Sequence, residues 1–258
     1  LNDICEAMGW PLPNIEHTLE RLGRKGWVYF GVMDLTKGYW QAPLDEESKQ
    51  YTAFTTWMGN FEWNRVPFGL KGAPSYYQKE IQQTVLRELM YDVVEAYMDD
   101  TIFGGKTIDD FLKNLDTILT RFEEHHIVVN PDKCTLGTHR VECIGHVLDA
   151  TGISFSEEKR NGVKEFPLPT TYKLLHRFLG LANYFRKHVD KYVESTILLY
   201  KLLGMQQDDQ PLKWTEETIA QFEEIKDKIH KCKKLYFIDD NHEIHLCTDA
   251  SKYGIGAY

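Results

Sequence analysis

The chain has no C-x-x-C pair, no apolar run long enough to cross a bilayer, no internal repeat and no low-complexity tract. Its five cysteines (Cys5, Cys134, Cys143, Cys232, Cys247) are odd in number and scattered, which argues against a disulfide framework and against a structural zinc site. A reducing, intracellular compartment is the simpler reading, without a signal peptide or a membrane partner. Positive charge is also in short supply. Lys and Arg number 30 against 39 Asp and Glu, a net charge of -9, which taken alone disfavours a phosphate-backbone partner.

The shortage is uneven. Between residues 151 and 205, nine Lys and Arg face five Asp and Glu, with His176 and His188 in addition. That span reads either as a local basic surface or as an ordinary solvated helix face. A hydrophobic content of 42% over 258 residues is enough to bury a core in one or two domains. Opening on Leu1 and closing on GIGAY, the chain reads as a piece of a longer polypeptide.

Periodicity gives an order of elements. WVYFGVMDL (27–35) reads as a strand and TKGY as its turn; the stretch from Gln41 to Leu70 alternates around Gly59-Asn60 as a β-hairpin excursion. Tyr77, Ile81, Val85 and Leu89 recur every four residues after Pro74, with Leu86 beside them, as in an amphipathic helix. YDVVEAY and TIFGG are two strands joined by a tight turn at MDD. Thr107 caps a helix with a stripe of Phe111, Leu115, Ile118, Leu119 and Phe122, and HHIVVN reads as a strand stopped by Pro131. With the first hairpin set aside, the order is β-α-β-β-α-β, a ferredoxin-like split βαβ unit.

That topology brings Asp34, at the carboxyl end of the first strand, beside Asp99 and Asp100 in the hairpin. An adjacent aspartate pair is usually turn chemistry. Three carboxylates gathered at one end of a sheet repel, however, unless a divalent cation or protonation neutralises them. Oxygen-only ligands suit magnesium, and two such ions roughly 4 Å apart can clamp the attacking and leaving oxygens of a phosphoryl displacement.

The segments VYFGVMDLTKGYWQAPL, VPFGLKGAPSYYQ, AYMDDTIFGG, NPDKC, ECIGH, LHRFLGLANYFRKHV and HLCTDASKYGIGAY occur in this order along nearly the whole chain. Together they resemble the reverse transcriptases of gypsy-type long-terminal-repeat retrotransposons and their retroviral relatives. The resemblance implies an α+β fold, a right-hand polymerase. Its ferredoxin-like palm would cover residues 1–150 with a fingers insertion at 41–68, a helical thumb 151–207, and the start of a ribonuclease H-like domain 208–258. It also implies an RNA- and DNA-directed DNA polymerase working with Mg2+, or Mn2+, on deoxynucleoside triphosphates and a primed template. The remainder of a Pol polyprotein (protease, ribonuclease H, integrase) would accompany it in cytoplasmic virus-like particles, and a homodimer is compatible with the family.

By the same resemblance, Asp34, Asp99 and Asp100 form the metal triad, with the carbonyl of Leu35 as a further ligand. Tyr39 takes the place of the gate that excludes a ribose 2′-hydroxyl, or is a core tyrosine after a turn. Phe68, Gly69, Lys71 and Gly72 form the loop beneath the incoming nucleotide, with Phe68 where retroviral relatives carry glutamine. Gln78 is a template contact or an exposed helix glutamine; Tyr97 and Met98 lie near the primer terminus. Lys133 corresponds, to within one residue, to a lysine that protonates the leaving pyrophosphate. Ile144, Gly145 and His146 match the hairpin holding the primer 3′ end, and Arg177, Arg186 and Lys187 are the thumb residues expected to follow the duplex backbone. Asp249 matches the first carboxylate of a ribonuclease H site whose other ligands would lie beyond Tyr258. A lysine and an arginine that hold the triphosphate would lie upstream of Leu1, so this fragment could bind metal and fail to polymerise. A palm-fold nucleotide cyclase, which needs neither ECIGH nor a thumb, and a non-catalytic nucleic-acid-binding or scaffolding subunit are the alternatives.

Overall fold

Burial on both faces governs three of the four strands of the central sheet, and the inner residues of those strands are mostly apolar. In the computed structural model, which describes residues 1–3, 5, 8–204, 211–238, 243, 245–251 and 254–257, helix α1 (Ile15–Arg24) leads into strand β1 (Tyr29–Asp34). Short helices α2 (Gly38–Gln41) and α3 (Glu46–Lys49) follow, then the hairpin β2 (Phe54–Thr56) and β3 (Gly59–Phe61). Its turn is Trp57-Met58, because Thr56 pairs with Gly59; the expected Gly59-Asn60 turn lies two residues too far along. Helix α4 (Ala73–Glu80), strands β4 (Val94–Tyr97) and β5 (Asp100–Gly105), and helix α5 (Ile108–Glu124) complete the two crossovers.

The sheet runs β4-β5-β1-β6, with β6 spanning Thr135–Thr138. Strand β5 is antiparallel to both β4 and β1, so β1 and β4 are parallel, as a split βαβ unit requires. The fourth strand is a correction. HHIVVN (125–130) does not form one: His126 has φ 55°, and only an isolated bridge joins Val129 to Leu35. Thr36 N–H donates to Val128 O and Asn130 N–H to Asp34 O, each at 2.9 Å, before Pro131, which has no amide hydrogen, turns the chain away.

Helices α4 and α5 cover one face of the sheet, where Tyr77, Ile81, Phe111, Ile118 and Phe122 meet Met33, Leu35, Val94, Ala96 and Phe103. The four-residue repeat 77-81-85-89 is wider than an α-helix, which would rotate each step by about 40°. Residues Ile81–Val85 accordingly form a π turn, with Leu86 N–H reaching Ile81 O at 2.8 Å, and this keeps the stripe aligned. Helix α5 starts on a capping box between Thr107 and Asp110. Leu119, expected in its buried stripe, is exposed because it sits one residue, about 100°, round the helix from Ile118.

On the other face, Leu19 and Leu22 of α1 pack with Phe30, Val32 and Ile102 against a second sheet of order β10-β9-β8-β7. Its strands are β7 (Arg140–Cys143), β8 (His146–Asp149), β9 (Gly152–Ser154) and β10 (Leu235–Tyr236). Between β9 and β10 come α6 (Glu157–Lys164), α7 (Tyr172–Tyr184), α8 (Ile197–Gly204) and α9 (Glu216–His230). One core joins Phe155, Leu175, Phe178, Phe185, Leu199, Phe222, Ile225 and Ile229, so α9 shares the interior of the preceding three helices. The boundary expected after residue 207 therefore does not coincide with a break between cores. The last hairpin is β11 (Thr248–Ser251) with β12 (Gly254–Ala257).

Helix α1 is fixed to the sheet by charge. Glu95, only 1% exposed in β4, accepts from Arg21 Nε at 2.9 Å and from Arg21 Nη2 at 2.8 Å. Arg21→Met would leave that carboxylate buried without a partner, and is expected to cost about 3 kcal/mol in urea unfolding. A loss below about 1 kcal/mol would remove the anchor role.

Candidate active site

The site is built on the β4–β5 hairpin. Tyr97 pairs with Asp100, leaving Met98 and Asp99 as the turn, and Met98 takes φ 53°, a left-handed conformation costing about 1 kcal/mol or more for a side chain of this kind. Gln78 of α4 holds it there. Its Nε2 donates to Ala96 O at 2.9 Å, and Met98 N–H donates to its Oε1 at 2.7 Å, with the side chain fully enclosed. Gln78 is thus neither a template contact nor an exposed helix glutamine. Periodicity treats glutamine as an outward residue and has no means of seeing two backbone partners that reward its burial.

Strand parity brings the carboxylates together. Asp34 lies directly opposite Asp100, on the face that carries Phe30, Val32 and Ile102, while Leu35 N–H donates to Asp99 O at 3.3 Å. Lys133 Nζ stands 3.5 Å from Asp34 Oδ1. Burial first, then the charges of Asp34 and Asp100, push the Asp99 carboxyl above its usual range, against the pull of Lys133. Burial also raises Asp100, opposed by a hydrogen bond from Ile144 N–H at 3.3 Å and reinforced by the charge of Asp34.

Asp99 Oδ1 and Tyr77 OH are buried without hydrogen-bond partners among the described residues, and both look onto Gly38. A Cβ there would come within 2.3 Å of Asp99 Oδ1 and 2.6 Å of Tyr77 OH, so any side chain at Gly38 would fill the space beside the carboxylate. Among the described residues, no three His, Cys, Asp or Glu groups already close around one point. An orphaned carboxylate oxygen, two further carboxylates raised or crowded by like charge, and an all-oxygen donor set fit a hard divalent cation whose shell is completed by water and substrate.

The residues expected beside a nucleotide form an aromatic wall. Tyr39 stands edge-on to Phe68 and Tyr77, with ring centroids 5.3 and 5.4 Å apart, and Phe68 also meets Trp40 at 5.7 Å. Burial, and secondarily the charge of Asp99, raise the Tyr39 phenol above its usual value. Phe68 remains 60% exposed, a flat apolar surface in the place where a hydrogen-bonding side chain was lacking. Gly69 has φ 93° with open space around it, whereas Gly72 caps α4 with φ -84° and a Cβ there would only touch Met8 Cβ at 3.9 Å; Lys71 N–H donates to Asn2 Oδ1 at 2.8 Å.

The turn of the β7–β8 hairpin sits against Asp100. Ile144 and Gly145 have φ 48° and 75°. His146, expected at nucleic acid, is a correction: its ring is buried among Phe155, Tyr184 and His188, and its Nδ1 lies 3.0 Å from Ile144 O. Burial lowers its pKa. Arg177 and Arg186 are exposed. Lys187 is also exposed but pairs with Glu16 of α1 at 2.7 Å. Asp249 is exposed in β11, remote in the chain from every other acid considered. Residues that sequence reasoning passed over are Gly38, Lys159 and Tyr184, of which Gly38, inside TKGY, and Tyr184, inside LHRFLGLANYFRKHV, lay in segments already singled out.

Family models match two stretches of the chain: "Reverse transcriptase (RNA-dependent DNA polymerase)" over residues 1–148 and "RNase H-like domain found in reverse transcriptase" over residues 214–258. In Drosophila melanogaster, the retrovirus-related Pol polyprotein from transposon opus is 33% identical across 100% of this chain, which covers 26% of that protein. The corresponding polyprotein from transposon gypsy is 27% identical across 100% of the chain, covering 25% of it. The chain thus spans about a quarter of the length of these curated relatives. Among solved structures, the foamy viral protease-reverse transcriptase in complex with dsDNA superposes with a TM-score of 0.84 at 26% identity, over 97% of this chain and 51% of that one.

Gln78→Leu leaves the Ala96 carbonyl and the Met98 amide buried and unpaired. It is expected to cost about 2–4 kcal/mol, with amide exchange at Met98 accelerated more than in β1; equal protection in both proteins would refute the positioning role. Asp99→Asn should stabilise the cation-free protein at neutral pH. A carboxyl raised in the folded state opposes folding once ionised: the penalty is absent below its unfolded value near 3.8 and complete above its folded value. The advantage of Asp99→Asn in thermal melts should therefore grow as pH rises through that window, and Mg2+ should close it by stabilising the parent alone. A difference that stays flat from about pH 4 to about pH 7 would contradict this.

Proposed function

Because this chain belongs to the reverse transcriptase family, we propose that it is the catalytic portion of an RNA- and DNA-directed DNA polymerase from a retrotransposon Pol polyprotein. The observation that carries the reading is the convergence of Asp34, Asp99 and Asp100 at the end of β1 and the β4–β5 hairpin, with one buried carboxylate oxygen left without a partner among the described residues. The reaction joins the primer 3′ oxygen to the α-phosphorus of a deoxynucleoside triphosphate. The bond from that phosphorus to the β-phosphate oxygen breaks, pyrophosphate departs, and the proton of the 3′-hydroxyl is lost to solvent.

Bound magnesium, or manganese, would lower the pKa of the attacking hydroxyl and neutralise charge on the phosphates. Asp34 and Asp99 would hold it, with Leu35 O and Asp100 as the outer candidates. The chain's own residues do the rest. Tyr39, braced by Phe68 and Tyr77, is the steric gate against a 2′-hydroxyl. Lys133, beside Asp34, is the group suited to give a proton to the departing pyrophosphate. Gly69, Lys71 and Gly72 form the floor under the incoming nucleotide. Ile144 and Gly145 hold the primer end through their backbone, and Arg177 and Arg186 follow the duplex without reading its sequence.

In this reading residues 1–150 are palm with a fingers insertion. The thumb extends through α9 rather than ending at 207, and the hairpin bearing Asp249 opens a ribonuclease H-like domain. Virus-like particles in the cytoplasm are the setting that goes with a polyprotein of this class. The test is primer extension by the longer polyprotein carrying Asp34→Asn or Asp99→Asn. Each should lower extension by about a hundredfold or more with primer–template affinity retained, and full activity in either variant would overturn the assignment. Retained affinity with no activity in the unsubstituted protein would favour the non-catalytic binding subunit.

A further inference from the structure

The turn between β7 and β8 is held in an unusual way. A turn with φ > 0 at both central residues suits Asn-Gly or Gly-Gly, yet its first position here is Ile144, a β-branched residue for which φ 48° is an outlier. Such backbone strain persists where surrounding groups over-determine it. Three do so. Ile144 N–H donates to Asp100 Oδ2 at 3.3 Å, Tyr184 OH donates to Ile144 O at 3.3 Å, and Lys159 Nζ donates to Gly145 O at 2.8 Å. A Cβ at Gly145 would lie 2.4 Å from Tyr184 OH and 3.3 Å from Lys159 Nζ, so glycine is required for these two side chains to close on the turn.

The three partners come from two parts of the fold. Asp100 belongs to the catalytic hairpin, while Lys159 lies on α6 and Tyr184 ends α7, both in the helical bundle. Lys159 is fixed further by Glu142 at 2.9 Å, and the Tyr184 ring packs on His146 and Phe155. A turn so pinned cannot follow the bundle without pulling on Asp100, nor move with Asp100 without the bundle.

We propose that Lys159 and Tyr184 are positioning residues that set the primer terminus against the carboxylates, by tying the carbonyls of Ile144 and Gly145 to the helical bundle while the Ile144 amide is tied to Asp100. The inference rests on the polymerase reading. It predicts that the position of the bundle on a duplex is transmitted to the reacting end through two carbonyls, rather than through side chains of the turn itself.

The test uses the longer polyprotein with Tyr184→Phe, which removes one hydroxyl, Lys159→Met, which removes one ammonium at nearly constant length, the double variant, and Lys159→Arg. Single-nucleotide incorporation at saturating triphosphate, duplex dissociation constant, and the anisotropy decay of a 2-aminopurine at the primer 3′ end without divalent cation are measured together. The double variant should incorporate at least fivefold more slowly and show a more mobile terminal base, with duplex affinity changed less than twofold and Lys159→Arg largely restored. Unchanged rate and mobility in the double variant would overturn the proposal, as would equal losses of affinity and rate, which would mark a merely structural role. If the unsubstituted polyprotein incorporates nothing, the polymerase reading falls and takes this inference with it; if it incorporates normally and the variants match it, only this inference falls.

Discussion

Electrostatic repulsion among Asp34, Asp99 and Asp100 is the constraint to which the surrounding fold answers. Two like charges about 4 Å apart in partly buried surroundings oppose each other by about 4 kcal/mol at an effective dielectric of 20, a large fraction of a domain's net stability. Nothing in a pair of strands would keep such groups together on their own account. Backbone pairing fixes Asp34 opposite Asp100, Gln78 clamps the turn that carries Asp99, and Gly38 leaves the space into which Asp99 Oδ1 points. Burial first, and this repulsion second, raise the proton affinity of Asp99 and Asp100, and an incoming cation would offset both by favouring the ionised carboxylates.

Strain is distributed in the same manner. The two turns that flank the carboxylates each carry a left-handed non-glycine residue, Met98 in one and Ile144 in the other. Each is held by side chains from another element: Gln78 for Met98, and Asp100, Lys159 and Tyr184 for Ile144. Both unfavourable conformations are therefore compensated by tertiary contacts rather than by local sequence. Neither turn would keep its shape as an isolated hairpin, and the geometry of the site depends on α4 and the helical bundle being in place.

That dependence explains what could be read in advance. The β-branched and aromatic run WVYFGVMDL, the apolar stripe of α4 and the helix cap at Thr107 are local signals. They located β1, the helices and the hairpin, and so the meeting of Asp34 with Asp99 and Asp100. The four-residue repeat at 77, 81, 85 and 89 was legible as a helix, although its exact period already encoded the π turn. What stayed hidden were pairings across the fold. Gln78 and His146 look like surface polar residues in any window, and each is buried because partners many residues away receive it, backbone groups for Gln78 and the Tyr184 and His188 rings for His146. HHIVVN reads as a strand by composition, yet the place beside β1 was taken by Thr135–Thr138, a stretch with little β character of its own. The membership of α9 in the helical core was equally invisible, since Phe222, Ile225 and Ile229 form an ordinary amphipathic stripe whichever domain they face.

Charge counting shows the same limit from another side. The nine Lys and Arg of residues 151–205 suggested a basic surface, but several are already engaged. Lys159 meets Glu142, Lys164 meets Asp227, Lys187 meets Glu16 and Lys191 approaches Glu194, while Arg160 donates to the His230 carbonyl. Lys173, Arg177, Arg186 and Lys201 carry no ion pair among the described residues. Exposed pairs hold each other by at most about 1 kcal/mol, less than a phosphate can offer through released counterions, so Lys187 and Lys191 remain exchangeable partners. Lys159 differs, because its ammonium is bound to a backbone carbonyl as well as to a carboxylate. The net charge of -9 thus neither forbids a duplex nor describes the surface a duplex would meet. That surface is set by which cations the fold has left uncommitted, and in this bundle they lie on α7, just after it at Arg186, and on α8.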